Sequence, residues 1–242
     1  MQDRSYWRLI RDPGFSWMLA SQFLGAFNVN VYTWAITFFA LDLASRPDAP
    51  FEGATMVGII GAVFIIPYLL FSDYAGQLAD RFSKRSVLIV VKSFEIIVMV
   101  SAVAAFWLAD MRALLVVAFF MGTQAALYSP AKYGRLPELL PDRDISRGNA
   151  LIEMSTFHAI ILGSVLGGLI YQAFHDRMPM IGMIELVIAI VGTACAFGIG
   201  RTPPGRAGRR FSWNPVGTIA PALRILHRNR RLWLTVLGLS YF

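Results

Sequence analysis

The chain alternates long apolar stretches with short polar gaps. Six stretches, at about 15–42, 55–78, 86–108, 112–129, 149–174 and 179–200, are long enough to cross a bilayer as helices. They are continuous rather than alternating, and lipid offers a lone strand no hydrogen-bond partners, so each predicts a helix. The first stretch is too long for a cleaved leader and is followed by no small-residue cleavage site. A further apolar stretch starts near Leu232 and runs to Phe242, about 16 Å of helix, too short to cross.

The pattern predicts an all-α membrane protein. Residues 1–200 form a bundle of six transmembrane helices, 201–231 a basic linker, and 232–242 the start of a seventh helix. Within the linker, Asn214-Pro215 suits a helix start. Val216, Ile219, Ala220, Leu223 and Leu226 then recur at helical spacing, opposite Arg224, His227 and Arg228, as in a helix lying on a membrane surface. A weak repeat joins the two ends of the chain. Arg8-Leu9-Ile10-Arg11 before Trp17 parallels Arg224-Ile225-Leu226-His227 before Trp233, which fits a parallel-repeat transporter cut after its first half.

Composition agrees. Hydrophobic residues make up 56% of the 242 positions and charged ones 15%, too few for a soluble globule or a disordered chain. The single Cys195 excludes a disulfide framework and a zinc site of paired cysteines. The net charge of +7 would suggest nucleic acid on a soluble protein. Here 18 of the 22 lysines and arginines fall in gaps 1–13, 81–86, 130–147 and 201–231. Only Arg46, Arg112 and Arg177 fall in the alternate gaps. The bias places the N-terminus and the linker on the cytoplasmic side, and the charge reflects topology rather than nucleic-acid binding.

Chemistry concentrates in a few places. Gly76-Gln77-Leu78-Ala79-Asp80-Arg81-Phe82-Ser83-Lys84-Arg85 joins the second and third stretches. Gly76 admits a close helix, Asp80 sits at the membrane edge, and Arg81, Lys84 and Arg85 make a tight basic turn. Ionisable residues inside the stretches need a partner or a role. Lys92 and Glu95 are three apart and can pair. Lys92 is shallow enough to snorkel, whereas Glu95 lies about 12 Å in from Val87 and is the better cavity residue. Glu153 and His158 are further cavity candidates, set too far around their helix to pair directly. Asn28 and Asn30 lie on different faces of the first helix, so one can line a cavity while the other bonds a neighbouring helix. Asp73 and Glu185 are expected to serve interhelical pairing. Ala159, Gly163 and Gly167, with Gly168 adjacent, form a small-residue stripe for close packing. Pro130, Pro137 and Pro141 are expected to break the segment after the fourth helix into short pieces docked on the helix ends.

Residues 76–85 resemble the signature loop of the major facilitator superfamily, with Ser83 at a position usually held by glycine. Residues 75–85, Val91–Ile96, Ser129–Glu138 and Asn149–Met154 narrow the resemblance to its lysophospholipid transporter branch, which is fused in some bacteria to an acyltransferase and an acyl-carrier-protein synthetase. The resemblance implies a bacterial inner-membrane transporter that moves lysophospholipid by alternating access. It implies a gate at Gly76, Asp80, Arg81, Lys84 and Arg85, completed by a second half, and a fused or partner acyltransferase. Two positions depart from the branch: Val29 stands where an acid is usual, and Arg135 where an apolar residue is. Ser164 replaces the proline of a related helix-5 motif. Enzyme signatures are missing. The residues five after His158, His175 and His227 are Gly163, Met180 and Leu232, so no His-x4-Asp occurs, nor any G-x-S-x-G, H-E-x-x-H or phosphate-binding G-x4-G-K-[ST]. No cofactor or metal is expected. An exporter of small amphipathic drugs or metabolites, and a non-transporting remnant or membrane anchor, remain alternatives.

Overall fold

The computed structural model describes residues 6–47, 49, 51–200, 212 and 226–241. A short helix α1 (Tyr6–Ile10) leads into α2 (Pro13–Ala44), α3 (Gly53–Arg81), α4 (Lys84–Leu108), α5 (Met111–Leu139), α6 (Ile145–Phe174) and α7 (Pro179–Phe197). These six long helices are each apolar and long enough to cross a membrane. A final helix, α8 (Arg230–Tyr241), follows the linker. Apart from residues 226–228, which are helical, the amphipathic linker helix expected from Asn214 lies outside the described residues.

Local chemistry sets several ends. Asp12 caps α2 by accepting from the Phe15 amide at 2.9 Å, with Pro13 in the first turn. Asp110 caps α5 through the Arg112 amide at 2.8 Å. Ala109 closes α4 in a left-handed conformation, φ 48°, which turns the chain into α5 within two residues.

The fourth span differs from expectation. Pro130 and Pro137 do not end the helix: α5 runs through both to Leu139. Each proline removes one helical amide, but Tyr128, Ala131, Lys132, Arg135 and Leu136 are all buried there, and burial of that face outweighs the two lost bonds.

α2 is the central post of the bundle. It packs on α6 and α7, while α3 packs on α5, and α4 on α5 and α7. Gly163 and Gly167 make the α2–α6 contact close. A Cβ at Gly163 would stand 2.7 Å from the Asn30 Cβ and 2.8 Å from the Phe27 carbonyl oxygen. One at Gly167 would stand 2.8 Å from the Val31 carbonyl oxygen.

The interior has two apolar cores. One, around Tyr32, Ile36, Met99, Phe106, Leu114 and Ile181, fills the end away from the basic loops. The other, around Phe15, Met18, Leu88, Ala131, Leu136 and Ile152, fills the basic end. Between them lies a buried polar layer: Ser21, Gln22 and Asn28 of α2, Lys92 and Glu95 of α4, Gln124 of α5 and Thr193 of α7. The same order recurs on the four helices that supply the layer. On α4, for example, Leu88 and Val91 belong to the basic-end core, Lys92 and Glu95 to the polar layer, and Val98 and Met99 to the far core.

Candidate functional site

The polar layer is built around Glu95. Its carboxylate forms an ion pair with Lys92, one turn back on α4, and both side chains are about 2% exposed or less. Asn28 Nδ2 donates to Oε1 at 3.1 Å, and Gln124 Nε2 donates to Oε2 at 3.0 Å. Three donors from three helices therefore surround one buried carboxylate, and this satisfaction is what makes its charge tolerable. Lys92 does not snorkel, contrary to the sequence expectation. Its ammonium turns inward between Gly25 of α2 and Gly192 of α7, where added Cβ atoms would lie 3.2 and 3.0 Å from Nζ. The missing side chains leave a slot for the lysine tail, and the buried carboxylate at its end draws it in. Thr193 closes the back of the slot by donating to the Lys92 carbonyl oxygen at 2.8 Å.

A cavity of about 200 Å³ opens beside this hub, between α2, α3, α5 and α6. Lys92, Gln124, Gln22, Asn30, Tyr68 and Lys132 supply its polar wall. Lys132 donates to Gln22 Oε1 at 3.2 Å, and its Nζ sits 4.4 Å from the Tyr133 ring centroid. Gln22 in turn donates to Thr156 Oγ1 at 2.8 Å. Among the described residues no carboxylate lies within ion-pair distance of Lys132.

The candidates from sequence separate. Asn30 lines the cavity and donates to the Ala26 carbonyl oxygen at 2.8 Å. Asn28 and Glu95 stand behind its wall, holding Lys92 and Gln124 in place. Glu153 and His158 are exposed on α6. Glu153 accepts from the Tyr133 hydroxyl at 2.5 Å, and His158 Nδ1 lies 2.7 Å from the Met154 carbonyl oxygen. Glu185, expected to pair across helices, is fully buried, and neither carboxylate oxygen finds a partner among the described residues. Lys132 and Gln22 were missed. Taking Pro130 as a helix end put Lys132 in a loop; the spacing of Tyr128, Ala131, Lys132 and Arg135 was the signal that the helix continues.

The loop of residues 76–85 also divides. Asp80 and Arg81 are exposed at the end of α3. Lys84 instead pairs with Glu138 of α5. Arg85 donates to the Phe197 carbonyl oxygen at 2.9 Å and also to that of Ile199. Arg135, fully buried, bonds Glu138 at 2.6 Å and the Gly200 carbonyl oxygen. Three cations thus gather around Glu138 and the C-terminal carbonyls of α7, where the helix dipole favours positive charge. Beside them Gln77, oriented by Asp73 at 2.8 Å, accepts from the Ser212 amide at 2.7 Å and donates to its carbonyl oxygen at 3.1 Å.

Residues 7–242 match the Major Facilitator Superfamily along almost the whole chain. The chain belongs to this superfamily. It is 32% identical over 228 residues to the lysophospholipid transporters of Yersinia pestis (strain Pestoides F) and Yersinia pseudotuberculosis serotype IB. The match covers 93% of this chain but 52% of theirs, so the chain spans about half the length of the curated relatives it matches. Two solved structures share the fold. Both are transporters of the POT family, one in complex with a thioalcohol-conjugated peptide and one with 5-aminolevulinic acid. They superpose with TM-scores of 0.65 and 0.61 at 18% and 17% identity, over 94% of this chain and 46% of theirs. The superfamily assignment makes this a multi-pass membrane protein.

Proposed function

We propose that this chain is the first bundle of a lysophospholipid transporter of the bacterial inner membrane, with its N-terminus in the cytoplasm. It works with a second six-helix bundle, and the two rock about a site at mid-membrane. The observation that carries this reading is the cavity itself. A pocket between membrane-spanning helices holds Lys132, a cation with no ion-pair partner among the described residues, in a chain similar to named lysophospholipid transporters. A phosphate headgroup is the anion such a cation suits, and the apolar helices around it tolerate an acyl chain.

Each part of the site then has a role. Asn30, Gln22, Gln124 and Lys132 face the headgroup. Asn28 and Glu95 keep the wall in shape, while Glu153 and His158, exposed on α6, face the second bundle. Gly76, Asp80 and Arg81 form the half of the gate that meets the second bundle. Lys84 and Arg85 hold that gate to α5 and α7. The transported lipid is delivered for reacylation by a fused or partner acyltransferase.

Uptake of radiolabelled lysophosphatidylethanolamine into spheroplasts lacking their own lysophospholipid transporter tests the reading. The polypeptide carrying this chain restores uptake, and Asp80→Ala with Arg81→Ala abolishes it. Efflux of a cationic dye without lipid uptake would overturn it in favour of a drug exporter.

A further inference from the structure

The short helix α1 takes no part in the mid-membrane cavity, yet the bundle holds it in place. Its turn continues through the Arg11 amide, which donates to the Trp7 carbonyl oxygen at 3.0 Å. It ends where Asp12 becomes extended and caps α2. Leu9 is its buried foot, set in the basic-end core with Leu136 and Leu140 from the end of α5. Tyr6, Trp7 and Ile10 are left exposed, Trp7 by 69%. At about 100° per residue these three lie side by side over about 100° of the helix. Arg11 and Arg8, both exposed, follow on the Trp7 side. The helix thus carries an apolar arc flanked by two cations, next to the start of α2, where Trp17 is also exposed. Aromatic rings and arginines so arranged suit the boundary between acyl chains and headgroups.

A notch of about 420 Å³ opens between α1 and the end of α5. Trp7, Arg8 and Arg11 line one side, and Leu139 and Pro141 the other. Asp12 and Asp144 line it too, but both are already engaged. Asp12 Oδ1 accepts from the Phe15 amide at 2.9 Å. Asp144 pairs with Arg147 at 2.9 Å and with Arg143 at 3.7 Å. Among the described residues no carboxylate lies within ion-pair distance of Arg8 or Arg11. Other cations at this end are committed: Lys84 and Arg135 to Glu138, and Arg85 to the carbonyls ending α7. Two arginines on one notch with no acid of their own suit an anion. Their forked donors match a phosphate group best.

We infer that α1 lies in the cytoplasmic leaflet and that this notch binds the phosphate of an anionic bilayer phospholipid, with Arg8 and Arg11 on the headgroup and Tyr6 and Ile10 among acyl chains. This lipid is a fixed neighbour of the bundle and not its cargo, since the notch shares no lining residue with the mid-membrane cavity. The occupant is a lipid phosphate rather than a free one, because the apolar arc beside the arginines sets the notch against acyl chains. Binding there keeps Leu9 seated in the basic-end core and so stabilises that end of the bundle. The inference rests on the cytoplasmic placement of the N-terminus proposed above and is independent of the transported substrate.

Melting of the full chain in detergent with lipid added tests the site. Dioleoylphosphatidylglycerol raises the melting temperature. Dioleoylphosphatidylcholine, with the same chains and no net charge, does not. Inorganic phosphate at the same concentration does not either; if it reproduces the shift, the notch takes a free anion and the lipid inference is overturned. Arg8→Gln and Arg11→Gln each weaken the apparent affinity for phosphatidylglycerol about fivefold, and together about 25-fold. Arg8→Lys with Arg11→Lys retains most of it. Arg112→Gln with Arg177→Gln, an equal loss of charge in the opposite loops, leaves it unchanged. Equal shifts from both lipids, or a shift that the Arg8→Gln, Arg11→Gln variant keeps, overturn the site. Because the lipid comparison uses the unsubstituted chain, it decides the headgroup even if a variant fails to fold. In nanodiscs, a spin label on Ile10→Cys is reached by oxygen dissolved among the acyl chains more than by an aqueous nickel chelate, while the buried Cys195 stays unlabelled. The reverse order of access overturns the placement of α1 in the leaflet. The topology fails separately: an impermeant maleimide that modifies Arg11→Cys from outside intact spheroplasts overturns the cytoplasmic N-terminus. Loss of the phosphatidylglycerol effect with that cysteine protected overturns the site alone.

Discussion

Lys92 and Lys132 face the same cavity from different helices, and both are buried. Lys92 is neutralised on the spot by Glu95 and wedged between two glycines, and its acid is shared with Asn28 and Gln124. Lys132 has a neutral amide and an aromatic ring. The first charge is spent on holding three helices in register. The second has no acid within ion-pair distance among the described residues. A lysine in a membrane pocket is therefore not by itself a binding residue; its nearest acid decides.

The comparison can be broken from the Lys92 side first, where the effects are largest. Glu95→Ala leaves a buried ammonium uncompensated and is expected to cost about 3–5 kcal/mol of stability, measured as a lowered melting temperature in detergent. The double variant Lys92→Met, Glu95→Leu removes both charges and recovers most of that loss. If the double variant also transports lipid, the pair is purely architectural; if it is stable but inactive, Glu95 has a second role. Gly192→Ala is milder. The added carbon would meet the Lys92 Nζ at 3.0 Å and the Leu24 Cβ at 3.3 Å, so a loss of about 1–3 kcal/mol is expected, with lipid selectivity unchanged.

Lys132→Gln sharpens the other side. It is expected to change stability by less than about 0.5 kcal/mol, read as a nearly unchanged melting temperature, because no ion pair is broken, while lipid uptake falls about tenfold. A melting shift as large as that of Glu95→Ala would show that both lysines are structural. Smallest of all is Asp80→Asn. Exposed at the bundle surface, it is expected to change stability by less than about 0.5 kcal/mol and to act on transport alone.

Much of this arrangement was legible in the residues, and the limits are instructive. Six apolar stretches, the i,i+3 spacing of Lys92 and Glu95, and the different faces of Asn28 and Asn30 are local properties, readable from helical geometry. Lys132 was hidden by one local rule applied too strictly, that proline ends a helix. Two prolines were overruled by burial of the face carrying Ala131, Arg135 and Leu136. Arg135 stood out only as a departure from related sequences. Its place beneath α7 depends on the chain just past the end of that helix, where the Gly200 carbonyl oxygen it bonds lies 65 residues later.

By itself, then, the order of apolar and charged residues determined that the chain is a bundle of membrane-crossing helices with its basic loops on one side, because hydropathy and helix length act one segment at a time. Which polar groups meet inside that bundle was decided by the tertiary structure alone. The partners of Glu95, the slot around Lys92 and the seam between α2 and α6 depend on how each helix is rotated and how closely its glycines let it approach the next. Those rotations follow from packing among six helices at once, and no single stretch of sequence carries them.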